Sequence, residues 1–251
     1  MTPTAENTEE NAEENLGPNE VVGLLEGIAT TRAIRRFRPE PVSEDALATM
    51  LFAASRAPSG SNRQPFRFLV LRDGPRAMAA RSLIGRAARE QWTRKVVSDG
   101  YERGSGASSD TPKARIAATM AHFVETFESV PVIVLPCLVR YSEPNPAEGG
   151  SIYPACQNLL LAARALGYGG VFTGWHRIVE LDLRRLLDIP DKVFIAATIA
   201  LGRPAGRHGP VRRQPLRDMV FEDGWGETTT WAVDPPGTRY TDAGPPAHSH
   251  K

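Results

Sequence analysis

Residues 131–139, PVIVLPCLV, form a run without a single charged or hydroxyl side chain. A run this short and this uniformly apolar reads as a strand covered on both faces. It demands helices packed above and below it and excludes a sheet with one wet face. Its expected neighbours are strands at 66–71 (FRFLVL, with Phe66, Phe68 and Val70 on one face), at 171–173 and at 193–201. The apolar runs at 130–139 and 193–201 fall short of the roughly 20 residues a membrane span needs.

Between these strands the apolar spacing turns helical. Val21, Leu24, Leu25 and Ile28 share a face over 21–30. Ser43 is expected to cap a helix with Glu44 and Asp45 in its first turn and a buried stripe of Leu47, Met50, Leu51 and Ala54. That helix ends near Ala57, because Pro58 pushes the preceding residue out of the α region. Pro75 opens a helix to about Val97. Residues 98–112, rich in Gly and Ser, read as a lid-like loop before a helix at 112–128 carrying Ile116, Met120, Phe123 and Phe127 on one side. Ser151 is expected to cap a helix over 152–166 that Gly167 ends, and a short helix follows at 181–187. Helices and strands alternate without a clean βαβ repeat, so the fold class is α+β, a mixed central sheet packed by long helices. One domain is expected at 21–226. An acidic disordered tail at 1–20 precedes it, and an extended Pro-, Gly- and Thr-rich tail at 227–251 follows, either wrapping a neighbouring surface or disordered.

Several function classes drop out. A formal charge of +1 over 251 residues calls for no polyanionic partner. The start is Glu- and Asn-rich without a basic residue, unlike a targeting peptide, so a cytoplasmic location is expected. Cys137 and Cys156 sit in apolar surroundings with no CxxC or Cys/His cluster, which argues against a metal or disulfide framework. GxGxxG, GxxxxGK[ST] and GxSxG are all absent. The histidines at 122, 176, 208, 248 and 250 lack metal spacing and read as structural or solvent-exposed.

Four segments remain. In TTRAIRRF, Arg32 and Arg35 lie about one helical turn or less apart, so both can converge on one anion; forked guanidinium donors suit phosphate oxygens. The plainer alternative is a solvated basic face in an arginine-biased chain, since lysine occurs only at 95, 113, 192 and 251. In APSGSNRQPF, Asn62 and Gln64 offer donors and acceptors to a planar ring edge, or the loop is an ordinary turn. LGYGGVFTGW at 166–175 and VRRQPL at 211–216 are weaker signals alone.

Their joint order is informative. The R-x-x-R-R-F segment before Pro-Val, APSGSNRQPF ahead of a strand, the QNLLLAARALG helix, and LGRP followed by RRQPL resemble the FMN-dependent nitroreductase family from about Leu24 to Gly226. The resemblance implies an α+β homodimer with two FMN molecules at the subunit interface and NADPH or NADH as donor. It implies that Arg32 and Arg213 hold the FMN phosphate, next to Ala33, and that Arg35 sits at the flavin pyrimidine edge. Pro58, Ser59, Gly60 and Asn62 would come from the partner subunit, with Gln64 nearby. Phe172, Thr173 and Gly174 would line the ring, with a backbone N–H facing N5. The implied reaction is ping-pong hydride transfer to a nitroaromatic, quinone or related acceptor, with protons from solvent.

Three departures stand out. Family members commonly carry Arg-Arg-Ser or Arg-His-Ser where this chain has Thr31, Arg32 and Ala33, so Arg36 or Arg212 is expected to compensate. Phe66 replaces the Trp usual after Gln-Pro. The region 92–112 matches nothing, and Trp92 and Tyr101 are its candidate substrate-stacking residues. Alternatives are a same-fold reductive dehalogenase or flavin-consuming enzyme, a non-catalytic flavin-binding protein, and an arginine-rich nucleic-acid binder. The overall charge and acidic start disfavour the last.

Overall fold

The computed structural model describes residues 22–103, 106, 108 and 111–241. Residues 1–21, which include the expected acidic tail, lie outside the described residues, as do 242–251 and positions 104, 105, 107, 109 and 110. The chain order is α1 (Leu24–Thr30), α2 (Glu44–Ser55), β1 (Phe66–Leu71), α3 (Pro75–Ser98) and α4 (Pro112–Glu125). Then come β2 (Val132–Val139), α5 (Tyr153–Ala165), β3 (Gly169–Thr173), α6 (Glu180–Leu187), β4 (Val193–Ile195) and β5 (Thr198–Gly202). The class is α+β.

Strand β2 is the centre, buried from Val132 to Leu138. Pleating sends Val132, Val134 and Leu138 into one core with Leu47 and Met50 of α2 and Leu159 of α5. Ile133, Leu135 and Cys137 enter a second core with Ile84 of α3, Phe123 of α4 and Leu183 of α6. Burying each such side chain is worth about 1.5–3 kcal/mol. A polar residue in this run would face apolar side chains on either side, which is why the run contains none.

The strand order is β1-β2-β5-β3, with β4 also paired to β2. Every pairing among the described strands is antiparallel, where the sequence suggested mixed directions. Helices α3 and α4 together carry the chain from β1 to β2. Two long elements bring it back reversed, where one would bring it back parallel. Strands β2 and β3, joined through α5, do run the same way, but β5 lies between them. The strand expected at 193–201 is broken. Between the pairs Val134↔Ile199 and Cys137↔Ile195, Leu135 and Pro136 face three residues, Ala196, Ala197 and Thr198. This is a bulge. Pro136 has no N–H to give the ladder, and its carbonyl accepts from the Ala196 N–H at 2.8 Å.

Caps follow the sequence in one place and not another. Ser43 Oγ accepts from the Ala46 N–H at 3.3 Å, as expected. Helix α5 begins at Tyr153 with Ile152 as an N-cap that lacks a side-chain bond, so Ser151 is not its cap. Ser151 belongs to a preceding 3-10 turn, and its hydroxyl accepts from the Gly60 N–H at 3.1 Å. Gly167 ends α5 at a φ of 73°, in the left-handed region glycine tolerates.

A further feature has no counterpart in the sequence reading. Arg81 of α3 is only 3% exposed. Its guanidinium donates to the carbonyls of Leu71 and Val130 at 2.8 Å, Pro131 at 3.0 Å and Glu128 at 3.2 Å. It ties the end of β1 to the entry of β2.

Beyond β5 the chain is irregular. Residues 227–241 fold back along 211–222 through the bridges Phe221↔Thr228 and Arg213↔Tyr240. Asp234 Oδ2 accepts from the Leu216 N–H at 3.0 Å. Ala232, within this strap, is buried. No helix among the described residues is long and apolar enough to cross a membrane.

Candidate functional site

Residues 31–38 are extended, not helical. The Ile34 N–H donates to the Gly170 carbonyl at 3.0 Å and the Arg38 N–H to Arg203 at 2.8 Å, which lays the segment beside β3. Ile34 is buried over Gly169, where a Cβ would lie 2.5 Å from Ile34 Cγ1. Glycine at 169 therefore lets the arginine segment approach the strand this closely. Anchored so, Arg32, Ala33 and Arg35 line one cleft of about 730 Å³. The Val211 N–H donates to the Ala29 carbonyl at 3.0 Å, which brings Arg212 and Arg213 to the same cleft. Arg115 joins them from α4 and Arg239 from the strap.

No carboxylate lines this cleft among the described residues. Arg32, Arg35, Arg212, Arg213 and Arg239 are in no ion pair among the described residues either. Burial, and then the neighbouring Arg32 charge, pushes the Arg35 pKa below the usual guanidinium value. The group stays cationic at neutral pH all the same. Like charges crowded without counter-charges destabilise a fold unless an anion binds among them. The Thr31 hydroxyl donates to the Gly27 carbonyl at 2.6 Å and is thereby turned back into α1.

The second expected half lies elsewhere on the chain. Ser61, Asn62 and Gln64 have φ of 51°, 52° and 50°, left-handed values that non-glycine residues seldom adopt. Ser59 Oγ accepts from the Gln64 N–H at 3.0 Å, and Ser151 holds Gly60 as described. Pro58, Gly60, Asn62 and Gln64 are exposed. None of them lines the arginine cleft; Gly60 borders a separate hollow of about 220 Å³ with Tyr141 and Ser151. Strain of this kind persists where surrounding bonds enforce it, and it clusters at ligand-holding loops.

Phe172 and Thr173 end β3, and Gly174 follows them. Phe172 is exposed and meets Tyr153 edge-on at 5.9 Å. Thr173 Oγ1 donates to the Thr198 carbonyl at 3.1 Å, and His176 Nδ1 lies 3.1 Å from Thr198 Oγ1. Arg36 is exposed and outside the cleft lining. Trp92 and Tyr101 stack obliquely at 5.2 Å, with Trp92 partly buried on the second core; neither lines the cleft.

His176 supports this end of β3 and makes it sensitive to acid. It is 1% exposed. Burial holds its pKa below the usual 6.5, with Glu180 pulling weakly the other way. The fold keeps it neutral, whereas the unfolded chain takes up a proton below pH ~6.5. Its contribution is therefore complete above that pH and is lost as the pH falls. Melting temperature should decline between about pH 7 and pH 5, and less steeply in His176→Asn. Parallel declines in both proteins would refute the assignment.

Sequence reasoning missed Arg115 and Arg239. The first had a signal, since Pro112, Arg115, Ile116 and Thr119 share one face of α4 and all line the cleft. Arg239 had none, being placed only by the fold-back of the strap.

An antiparallel sheet with helices on both faces, and an arginine-lined cleft that no carboxylate lines among the described residues, define the class: an α+β protein with a cationic ligand cleft. The nitroreductase family profile matches residues 28–203, and the chain belongs to that family. It is 31% identical over 194 residues to a protein named NADH dehydrogenase from Thermus thermophilus, covering 76% of this chain and 91% of that one. It is 30% identical over 182 residues to an Archaeoglobus fulgidus protein provisionally assigned as an NADH dehydrogenase/NAD(P)H nitroreductase, covering 72% and 84%. A Desulfovibrio desulfuricans protein, provisionally assigned as a nitroreductase and solved in complex with FMN, superposes with a TM-score of 0.57. It is 29% identical, and the match covers 80% of this chain and 96% of that one.

Proposed function

We propose that this nitroreductase-family oxidoreductase binds FMN and uses NADPH or NADH to reduce nitroaromatic, quinone or related acceptors. The observation that carries the reading is the arginine cleft, which no carboxylate lines among the described residues and which suits a phosphate-bearing ligand. Arg32 and Arg213 would hold the phosphate of FMN, where a phosphomonoester carries about −1.5 to −2 charges. Arg35, half-buried, would face the pyrimidine edge, where reduction accumulates negative charge. Bound there, FMN supplies hydride transfer between the nicotinamide and the acceptor. Phe172, Thr173 and Gly174 would lie along the ring. No carboxylate, histidine or cysteine lines the cleft among the described residues, which fits protons arriving from solvent.

The strained loop at 58–64 fits this scheme as a contribution to a second copy's cofactor. Leu24, Leu25, Ile28 and Phe52 are exposed on α1 and α2, and Leu24 and Phe52 line an apolar groove of about 460 Å³. Exposed apolar patches of this kind mark interaction surfaces. A homodimer would cover them and bring Pro58, Ser59, Gly60, Asn62 and Gln64 across to the partner.

Purified protein is expected to be yellow and to bleach anaerobically on addition of NADPH or NADH. Colourless protein that shows no thermal shift with added FMN would overturn the flavin assignment. Yellow protein that neither nucleotide bleaches would leave a flavin-binding protein without reductase activity.

A further inference from the structure

The loop at 58–64 holds a shape its own residues do not favour. Ser61, Asn62 and Gln64 are all left-handed, three non-glycine residues within four positions. A backbone of this kind persists only where its surroundings enforce it. Some of the enforcement is local: Ser59 Oγ accepts from the Gln64 N–H at 3.0 Å, and the Ser59 carbonyl from the Asn62 N–H at 2.9 Å. Two further anchors come from one remote segment, 140–151. Ser151 Oγ accepts from the Gly60 N–H at 3.1 Å, 91 residues away in the chain. The Arg63 guanidinium lies 4.3 Å from the centre of the Tyr141 ring. Both hydroxyls flank one glycine, since a Cβ on Gly60 would lie 3.6 Å from Ser151 Oγ and 3.9 Å from Tyr141 Oη. The remote segment is itself pinned. Arg140 holds Glu148 through two bonds, Nε to Oε2 at 2.8 Å and Nη2 to Oε1 at 2.6 Å, with both side chains largely buried. Arg140 also lies 4.8 Å from the Phe194 ring of β4. The buttress is thus fixed to the sheet, while Pro58, Gly60, Asn62 and Gln64 stay exposed.

We propose that Ser151 and Tyr141 are positioning residues that preset the 58–64 loop for closure over the flavin of a second copy. A loop already ordered in its bound shape loses less freedom on binding, so the preset strengthens flavin retention without adding a contact to the flavin. What the loop covers rests on the flavin reading above; the preset itself does not.

The test compares full-length Ser151→Ala and Tyr141→Ala with Ser151→Thr and Tyr141→Phe, which keep the hydroxyl and the ring respectively. Amide exchange is followed by mass spectrometry on peptides spanning 58–65, and the FMN dissociation constant by flavin fluorescence on serial dilution. In Ser151→Ala, loop exchange is expected to quicken and the FMN dissociation constant to rise about two- to tenfold, the scale of one neutral hydrogen bond. Tyr141→Ala should act in the same direction with a smaller change, since an exposed cation–π contact is weaker. Melting temperature should move by no more than about 4 °C, and the threonine and phenylalanine variants should match wild type. Unchanged loop exchange in both alanine variants would overturn the preset. Faster exchange with wild-type FMN affinity would overturn its service to the flavin, and so would threonine and phenylalanine variants as impaired as the alanines. Should Ser151→Ala fail to fold, Tyr141→Ala carries the same decision. If wild type holds no FMN, the flavin reading fails; faster loop exchange in the alanine variants would still uphold the preset, and unchanged exchange would overturn it.

Discussion

Arg213→Ala protein is expected to lose most of its flavin on purification, whereas Arg72→Ala protein keeps it. Arg213 sits in a cleft without a carboxylate, so its forked donors have no competing partner among the described residues beyond the Arg212 carbonyl at 2.8 Å. Removing one charge-assisted contact to phosphate costs roughly 1.5–3 kcal/mol. At 1.4 kcal/mol per tenfold, that is a rise of about 10- to 150-fold in the FMN dissociation constant. Arg72 is the control because its charge is spent on an exposed bridge to Glu44 at 3.0 Å, remote from the cleft lining. Arg32→Ala should behave like Arg213→Ala. The double variant should lose less than the sum, since both would grip one group. Equal flavin retention in Arg213→Ala and Arg72→Ala would remove Arg213 from the phosphate.

Arg81→Ala should cost more in stability than any change in the cleft. The guanidinium satisfies four carbonyls where β1 ends and β2 begins, and burial presses its pKa down with Asp73 opposing. Alanine would leave a cavity and several buried acceptors unpaired, each worth about 1–3 kcal/mol unless water enters. A loss of roughly 3–5 kcal/mol follows, which at this chain length lowers the melting temperature by about 6–20 °C. Arg81→Met separates the causes, because it fills the space without donating. A drop nearly as large as that of alanine would assign the cost to the carbonyls. A melting temperature within about 2 °C of wild type in both variants would show that the junction does not depend on Arg81.

Local chemistry made much of the fold legible. The strand at 66–71 and the Ser43 cap fall where alternation and capping rules put them, because those rules act within a few residues. Strand direction was not legible, since it depends on how many helices intervene between strands, a count that neighbouring side chains do not report. Nor was the role of Ser151. Its hydroxyl satisfies Gly60, far away in the chain, instead of the adjacent helix. The break at Ala196 and Ala197 had one readable hint, the missing N–H of Pro136, but which strand faces Pro136 is a tertiary fact.

The sequence alone determined where most strands and helices lie, and that β2 must be covered on both faces. Periodicity and burial carry that information along the chain itself. Tertiary structure decided where the charge collects. Arg32, Arg115, Arg213 and Arg239 come from four separate stretches, and only the sheet order, the close approach at Gly169 and the fold-back of the strap bring them to one cleft. Electrostatic energy depends on distance through space, and spacing along a sequence does not reveal it.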